Sequence, residues 1–306
     1  MASHRFPDKP ADLPEEGGPF DVFPVPTILR GRRCRLDLER PLIMGILNIT
    51  PDSFYSGSRA TSIDDALGRA RRMLDEGADL IDVGGESTRP GAALISEQEE
   101  LDRIVPVVEI LSRELPCPLS VDTNKSVVAR AAVAAGADFI NDISGFAFDP
   151  AMADTVAACG AGAFLMHTRG KPEAMQADTA YGDLFAEIVN YLRKAVARAE
   201  AAGIPRCRLA IDPGIGFGKD LAGNLEILHR LRELLVLGLP VLLGTSRKGC
   251  IGQVVGQSDP AERLYGTLAT VALGVASGVQ IFRVHDVRPA REAALMAWAV
   301  VHRRRP

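Results

Sequence analysis

The sequence predicts an α/β fold, a (β/α)8 TIM barrel behind an extended N-terminal arm. The first observation is eight short apolar runs: Leu42–Asn48, Leu80–Gly84, Leu119–Asp122, Phe139–Asp142, Phe164–His167, Leu209–Asp212, Val241–Thr245 and Ile281–His285. Strands of a parallel sheet are covered on both faces, so they read as continuous apolar runs rather than alternating ones. Second, a segment of helical period follows each run, and regular strand–helix alternation implies right-handed crossovers. Third, 306 residues exceed the roughly 250 of one such barrel, which leaves room for an arm but not for a second domain. An open doubly wound sheet is the alternative, but Gly45 stands alone where that fold needs a glycine fingerprint after its first strand.

Residues 1–27 contain six prolines, several acids and little apolar periodicity, and are expected to form a flexible arm. Residues 28–302 form the barrel domain, and 303–306 a basic tail. Within Gly31–Pro41, Leu36 and Leu38 alternate with polar residues, as in a short ribbon closing the barrel floor. Helices are expected near 62–77, 96–115, 125–136, 150–160, 181–203, 221–235, 259–278 and 288–302. In the fifth, Leu184, Phe185, Ile188, Tyr191, Leu192, Ala195 and Val196 share one face; in the sixth, Leu221, Leu225, Leu228, Leu231 and Leu235 do. Gly77, Gly136, Gly203 and Gly278 follow helices, where the left-handed C-terminal position favours a residue without Cβ.

The net charge of −4 offers no global basic field, which argues against nucleic acid as a partner. No apolar stretch approaches a membrane span, and there is no export signal. Five scattered cysteines without a CxxC pair match neither a disulfide framework nor a zinc site, so a reducing cytoplasm is the expected compartment.

In such a barrel the C-terminal strand ends face one shared cavity. Asn48 projects from the first, with an amide oxygen suited to a hard cation such as Mg²⁺, a turn-capping Asn being the plainer alternative. After the second, Thr88 and Arg89 pair a hydroxyl with a planar fork of donors, a combination suited to phosphate. A salt bridge between Glu86 and Arg89 is the plainer alternative. Asp122, Asn141 and Asp212 place two carboxylates and an amide at the third, fourth and sixth ends without paired histidines. A flat heteroaromatic ring bearing several N–H groups, pterin-like or aminopurine-like, satisfies such a set. Lys248, Arg283 and His285 add positive charge at the seventh and eighth ends. Singly, each also suits a surface or packing role; together with Arg89 they make an electropositive mouth and point to an anionic substrate.

From Pro41 to Val287 the chain resembles the dihydropteroate synthases of the pterin-binding enzyme family. The resemblance is carried by MGILNITPDSF, IDVGGESTRPGA, SVDTNK, INDISG, LMHTRGKPEAMQ, DPGIGFGK, SRK and RVHD, in family order and spacing. It implies condensation of 6-hydroxymethyl-7,8-dihydropterin diphosphate with 4-aminobenzoate in folate biosynthesis, with Mg²⁺ as cofactor and a homodimer as the assembly. It also implies a pterin site at Asp122, Asn141, Met166, Asp212, Phe217, Gly244, Lys248 and Arg283, and a diphosphate site at Thr88, Arg89, Arg283 and His285. The aminobenzoate, and sulfonamides that imitate it, would meet Phe54, Pro90, Lys248 and Gly249. Asn48 would be the metal ligand, while Lys248, Arg283 and Asp212 would act in catalysis. A dimer face is expected on the last helices through Leu295, Trp298 and Val301. Two departures fall at the outer pocket: DSFYSGS replaces the family's DSFSDGG, with Ser56 and Ser58 in the loop, and SRKG replaces SRKS, leaving Gly249 without a hydroxyl. Three rivals follow from these residues: a pterin-dependent methyltransferase on the same barrel, a pterin-binding paralogue without activity, and an aldolase using Lys248 as a Schiff-base amine.

Overall fold

The structure, a computed structural model, describes residues 26–49, 59–87 and 94–306. Two short antiparallel strands, β1 (Ile28–Arg30) and β2 (Arg35–Asp37), precede the barrel. The eight barrel strands are β3 (Leu42–Asn48), β4 (Leu80–Gly84), β5 (Leu119–Asp122), β6 (Phe139–Asp142), β7 (Gly162–Met166), β8 (Leu209–Asp212), β9 (Leu242–Leu243) and β10 (Ile281–Val284). They pair in parallel in the order β8-β7-β6-β5-β4-β3-β10-β9, and an Ile211–Val241 bridge links β8 to the residue before β9, closing the ring. The expected barrel is therefore present. The arm lies outside the described residues apart from Pro26 and Thr27.

Helices α1 (Arg59–Asp75), α2 (Glu97–Glu114), α3 (Ser126–Ala135), α4 (Met152–Cys159), α5 (Leu184–Ala201), α6 (Leu221–His229), α7 (Gly249–Val255), α8 (Leu264–Ala276) and α9 (Val287–His302) surround the sheet. Their apolar stripes and the outward faces of the strands form the main core. Where boundaries differ from expectation, local bonding explains why. Helix α5 starts three residues late because Asp183 caps it, accepting from the Ala186 N–H at 3.0 Å. The sixth helix ends at His229 and continues as a 3₁₀ turn, Leu231–Leu237. Leu231, Leu234 and Leu237 are buried there at the spacing of three that a 3₁₀ turn presents on one side, while Leu225 faces outward. The expected 259–278 helix divides into a 3₁₀ turn at Pro260–Arg263 and α8, and the sequence reading missed α7.

A second core fills the lower barrel. Met44, Leu80, Phe139, Phe164, Ala210, Leu242 and Ile281 pack there against Leu29, Leu36 and Leu38, so the β1–β2 hairpin plugs the floor as the alternation predicted. A Cβ on Gly162 would lie 2.5 Å from the Phe139 ring, which accounts for glycine at that position. Among the described residues the floor is thus sealed, and the barrel opens at the end carrying the polar strand ends.

Trp298 corrects the expected dimer face. It is buried with Val287, Ala290 and Ala294 on the inner stripe of α9 and donates from Nε1 to the Glu39 carbonyl at 2.9 Å. Val301 is exposed as expected and Leu295 is half-buried, with Met296 and Val300 exposed beside them. Among the described residues no helix is long and apolar enough to cross a membrane, and all five cysteines are unpaired.

Candidate active site

Strand register assembles the site. Asn48, Gly84, Asp122 and Asn141 are successive partners across β3, β4, β5 and β6, so they lie at one level of the barrel rim. Above them opens a cavity of about 810 Å³ whose lining includes Asn48, Asp122, Phe217, Lys248, Arg283 and His285. Gly244 and Gly249 also line it. A Cβ on Gly244 would stand 3.9 Å from both Asp212 Oδ2 and Arg283 Cβ and 4.0 Å from Lys248 Nζ, so these three groups converge on that glycine. Met166 is the register partner of Asp212 and is buried with it. Thr88, Arg89, Pro90, Phe54, Ser56 and Ser58 lie outside the described residues.

Arg283 departs most from expectation. It starts level with Met44, four residues below Asn48, and its guanidinium rises to pair with Asp82 (Nε–Oδ2, 2.6 Å) and Asp122 (Nη2–Oδ2, 2.8 Å). Asn141 Nδ2 donates to the same Asp82 oxygen at 3.1 Å. The mouth is thus a mixed-charge site: the Arg283 cation is compensated by Asp82 below the rim and Asp122 at it, and the electropositive reading is corrected to that extent. Sequence reasoning gave Asp82 no role, although one charged residue inside the apolar run Leu80–Gly84 was its signal.

Burial sets the protonation states. The Asp122 carboxyl is pushed up to about 7 by desolvation, with Arg283 opposing and Asp82 reinforcing the shift. Asp212 is raised by desolvation against the pull of Lys248 and the Gly214 N–H, which donates to Oδ1 at 2.7 Å. Lys248 is lowered to about 8 by desolvation, with Asp212 opposing. These groups stand ready for a ligand that supplies N–H donors to the acids and acceptors to the amine.

Lys248 owes its aim to Arg247, which adopts a left-handed φ of 58°. The Arg247 guanidinium turns away and makes a two-point contact with Asp286 at 2.9 and 2.6 Å. Lys248 then turns inward, its Nζ donating to the Ile215 carbonyl and lying 4.7 Å from the Phe217 ring centroid. The Ser246 hydroxyl accepts from the His285 backbone N–H at 3.1 Å and lies 2.9 Å from its Nδ1. Glu86 pairs with Lys125 at 2.9 Å and accepts from the Ile95 N–H at 2.7 Å, while Arg89, the partner the plainer alternative names, lies outside the described residues.

Two further buried groups lie on the Asp212 side, and the sequence reading gave them no role. Lys219 Nζ lies 2.9 Å from His167 Nδ1 and donates to the Gly214 and Phe217 carbonyls, both at 2.8 Å. Burial and Lys219 push the His167 ring down to about 2, so it is neutral and accepts.

A sealed eight-stranded barrel with an acid–amide–amine cluster at its C-terminal rim defines a small-molecule enzyme of the TIM-barrel class. Residues 44–285 match the family described as pterin binding enzyme. Dihydropteroate synthase of Escherichia coli strain K12 is 46% identical over 258 residues, covering 84% of this chain and 91% of that protein. The Yersinia pestis dihydropteroate synthase structure, solved as a sulfonamide drug complex, superposes with a TM-score of 0.84 at 46% identity, covering 89% of this chain and 98% of that one. The Xanthomonas albilineans dihydropteroate synthase with 4-aminobenzoic acid gives 0.83 at 43%, covering 90% and 98%. The chain belongs to the pterin-binding enzyme family.

Proposed function

We infer that the chain catalyses dihydropteroate synthesis, joining 6-hydroxymethyl-7,8-dihydropterin diphosphate to 4-aminobenzoate in folate biosynthesis. The supporting observation is the convergence of Asp122, Asp212, Lys248 and Arg283 on one cavity with Phe217 in its wall. Asp122, Asn141 and Asp212 take the N–H edge of the pterin ring at the rim, and Arg283 lies against its face. His285 and the Arg283 side of the pocket face the diphosphate; Thr88 and Arg89, which lie outside the described residues, are assigned to it on the family resemblance.

The C–O bond to diphosphate breaks with its electron pair leaving on the diphosphate, and the arylamine nitrogen forms the new C–N bond to the methylene, then loses a proton. Because positive charge develops on the pterin methylene, the nearby carboxylates of Asp122 and Asp212 stabilise it. Lys248 closes the pocket between Phe217 and the helix α7 start, where the aminobenzoate enters beside Gly249; Phe54 and Pro90, which lie outside the described residues, are assigned to it on the family resemblance.

Mg²⁺ fits one protein position. Asn48 Oδ1 lies 3.6 Å from where a Cβ on Gly84 would stand, at the level of Asp122. Among the described residues no three His, Cys, Asp or Glu side chains form a metal cluster. Mg²⁺ commonly takes one or two protein oxygens and completes its shell with substrate phosphates and water, which matches a site of Asn48 plus diphosphate. When bound, the ion neutralises charge accumulating on the leaving group.

The assembly is a homodimer in the cytoplasm. Helix α8 has no charged residue and exposes Tyr265 and Leu273, and Met296 and Val300 are exposed on α9, which packs against α8. That apolar surface suits a second copy; sedimentation showing a monomer at micromolar concentration would refute it. The activity is tested by a coupled assay for dihydropteroate and diphosphate at varied Mg²⁺ and aminobenzoate. Absence of both dihydropteroate and diphosphate release would overturn the reading: with pterin binding retained it favours the inactive paralogue, and with methyl transfer instead it favours the methyltransferase. Borohydride trapping on Lys248 would favour the aldolase.

A further inference from the structure

The turn Asp212–Lys219 supplies three groups to the cavity: the Asp212 carboxylate, the Ile215 carbonyl that receives Lys248, and the Phe217 ring. Beyond Asp212, which ends β8, it contains no regular secondary structure, and Gly214, Gly216 and Gly218 all have positive φ, at 70°, 82° and 64°. A chain of that composition has high conformational freedom unless it is held. Here five successive carbonyls accept from side chains. Gly214 accepts from Lys219, Ile215 from Lys248, Gly216 from Gln176 at 2.8 Å, Phe217 from Lys219, and Gly218 from the Tyr181 hydroxyl at 2.7 Å.

Lys219 is the only one of these donors that takes two carbonyls, and it does so from inside the turn. It is 3% exposed and makes no salt bridge among the described residues. Its third hydrogen bond goes to His167 Nδ1, and His167 is itself fixed, its backbone N–H donating to the Asp212 carbonyl at 3.0 Å and its ring packed edge-on to Tyr191. Three acceptors match the three N–H donors of an ammonium. Desolvation and the nearby Lys248 push the Lys219 amine well below the usual lysine range, with Asp212 opposing, and its three hydrogen bonds offset the cost of burying it.

We propose that Lys219 is a positioning residue: its Nζ, bound to His167 Nδ1 and the Gly214 and Phe217 carbonyls, holds the glycine-rich turn so that Asp212 and Phe217 meet the pterin. This rests on the pterin-site reading above. It implies that pterin affinity depends on a side chain that need not touch the ring.

The test is calorimetric titration of the full-length chain with 6-hydroxymethyl-7,8-dihydropterin diphosphate and Mg²⁺, alongside thermal unfolding. Lys219→Met keeps the length and removes the donors. Its Kd should weaken by about tenfold or more, because a small misplacement of reacting groups is felt strongly, and its KM for aminobenzoate should rise, in protein that circular dichroism shows to be folded. A merely structural role would lower Tm and leave Kd unchanged in the folded fraction, and that result overturns the proposal. If Lys219→Met does not fold, His167→Leu, which withdraws one acceptor, should weaken Kd in the same sense; folded His167→Leu with wild-type Kd overturns it equally. Wild-type protein that fails to bind the probe would sink the pterin-site reading instead.

Discussion

Replacing Arg283 with alanine removes the cation shared by Asp82 and Asp122, which sit 2.6 and 2.8 Å from it. Both carboxylates are buried, Asp82 completely, and Asp82 would keep only the Asn141 amide as a hydrogen-bond donor among the described residues. Stripping one partner from a buried ion pair costs about 3–5 kcal/mol, a fall of roughly 10 °C in Tm for a domain of this size. The deficit should depend on pH with a definite sign. Asp122 already titrates near 7 with Arg283 present, and losing the guanidinium raises it further. The folded state then binds more protons than the unfolded chain between the ordinary carboxylate range and that raised value, so stability rises as pH falls through the window. Scanning calorimetry should find the variant closer to wild type at pH 6 than at pH 8, and the coupled assay should find turnover reduced by two orders of magnitude or more, about the effect of removing a charge-stabilising donor. Wild-type Tm at pH 8, or normal turnover, would show that Arg283 does not hold this cluster together.

Three other outcomes are expected. The profile of kcat/KM for pterin diphosphate should fall on the acid side as Asp122 protonates near 7 and on the alkaline side as Lys248 loses its charge near 8; a flat profile from pH 6 to 9 contradicts both roles. Gly249→Ser meets no atom within 4 Å at Cβ, so it should fold normally. One hydrogen bond to a charged group, about 1.5–3 kcal/mol, should then lower KM for aminobenzoate about tenfold or more, and an unchanged KM removes this explanation of the outer pocket. Asn48→Ala should weaken the apparent Mg²⁺ affinity of turnover by about tenfold, whereas an identical Mg²⁺ dependence would exclude Asn48 as a ligand.

Fold and family were legible in the chain because both are written in local pattern. Eight apolar runs with polar ends declare buried parallel strands, and the alternation at Leu36 and Leu38 declares a ribbon with one buried face. Asn48, Asp122, Asn141 and Asp212 were legible for a related reason: a polar residue closing an apolar strand has only the rim to occupy. Helix α9 shows the limit of such reading, since Leu295, Trp298 and Val301 look like an outward stripe until Trp298 is found bonded to Glu39.

Pairing across the barrel was decided by tertiary structure alone. Asp82 and Arg283 are 201 residues apart and meet because β4 and β10 flank β3; no spacing rule reports that contact, and it turns an expected free cation into a compensated one. Lys219 reads as one more charge after a glycine-rich run, and only folding buries it against His167, 52 residues earlier. Hydrophobic periodicity is a property of neighbours along the chain, so the sequence specifies strands and helices directly. Charge compensation and pKa depend on which strand ends become neighbours once the barrel closes.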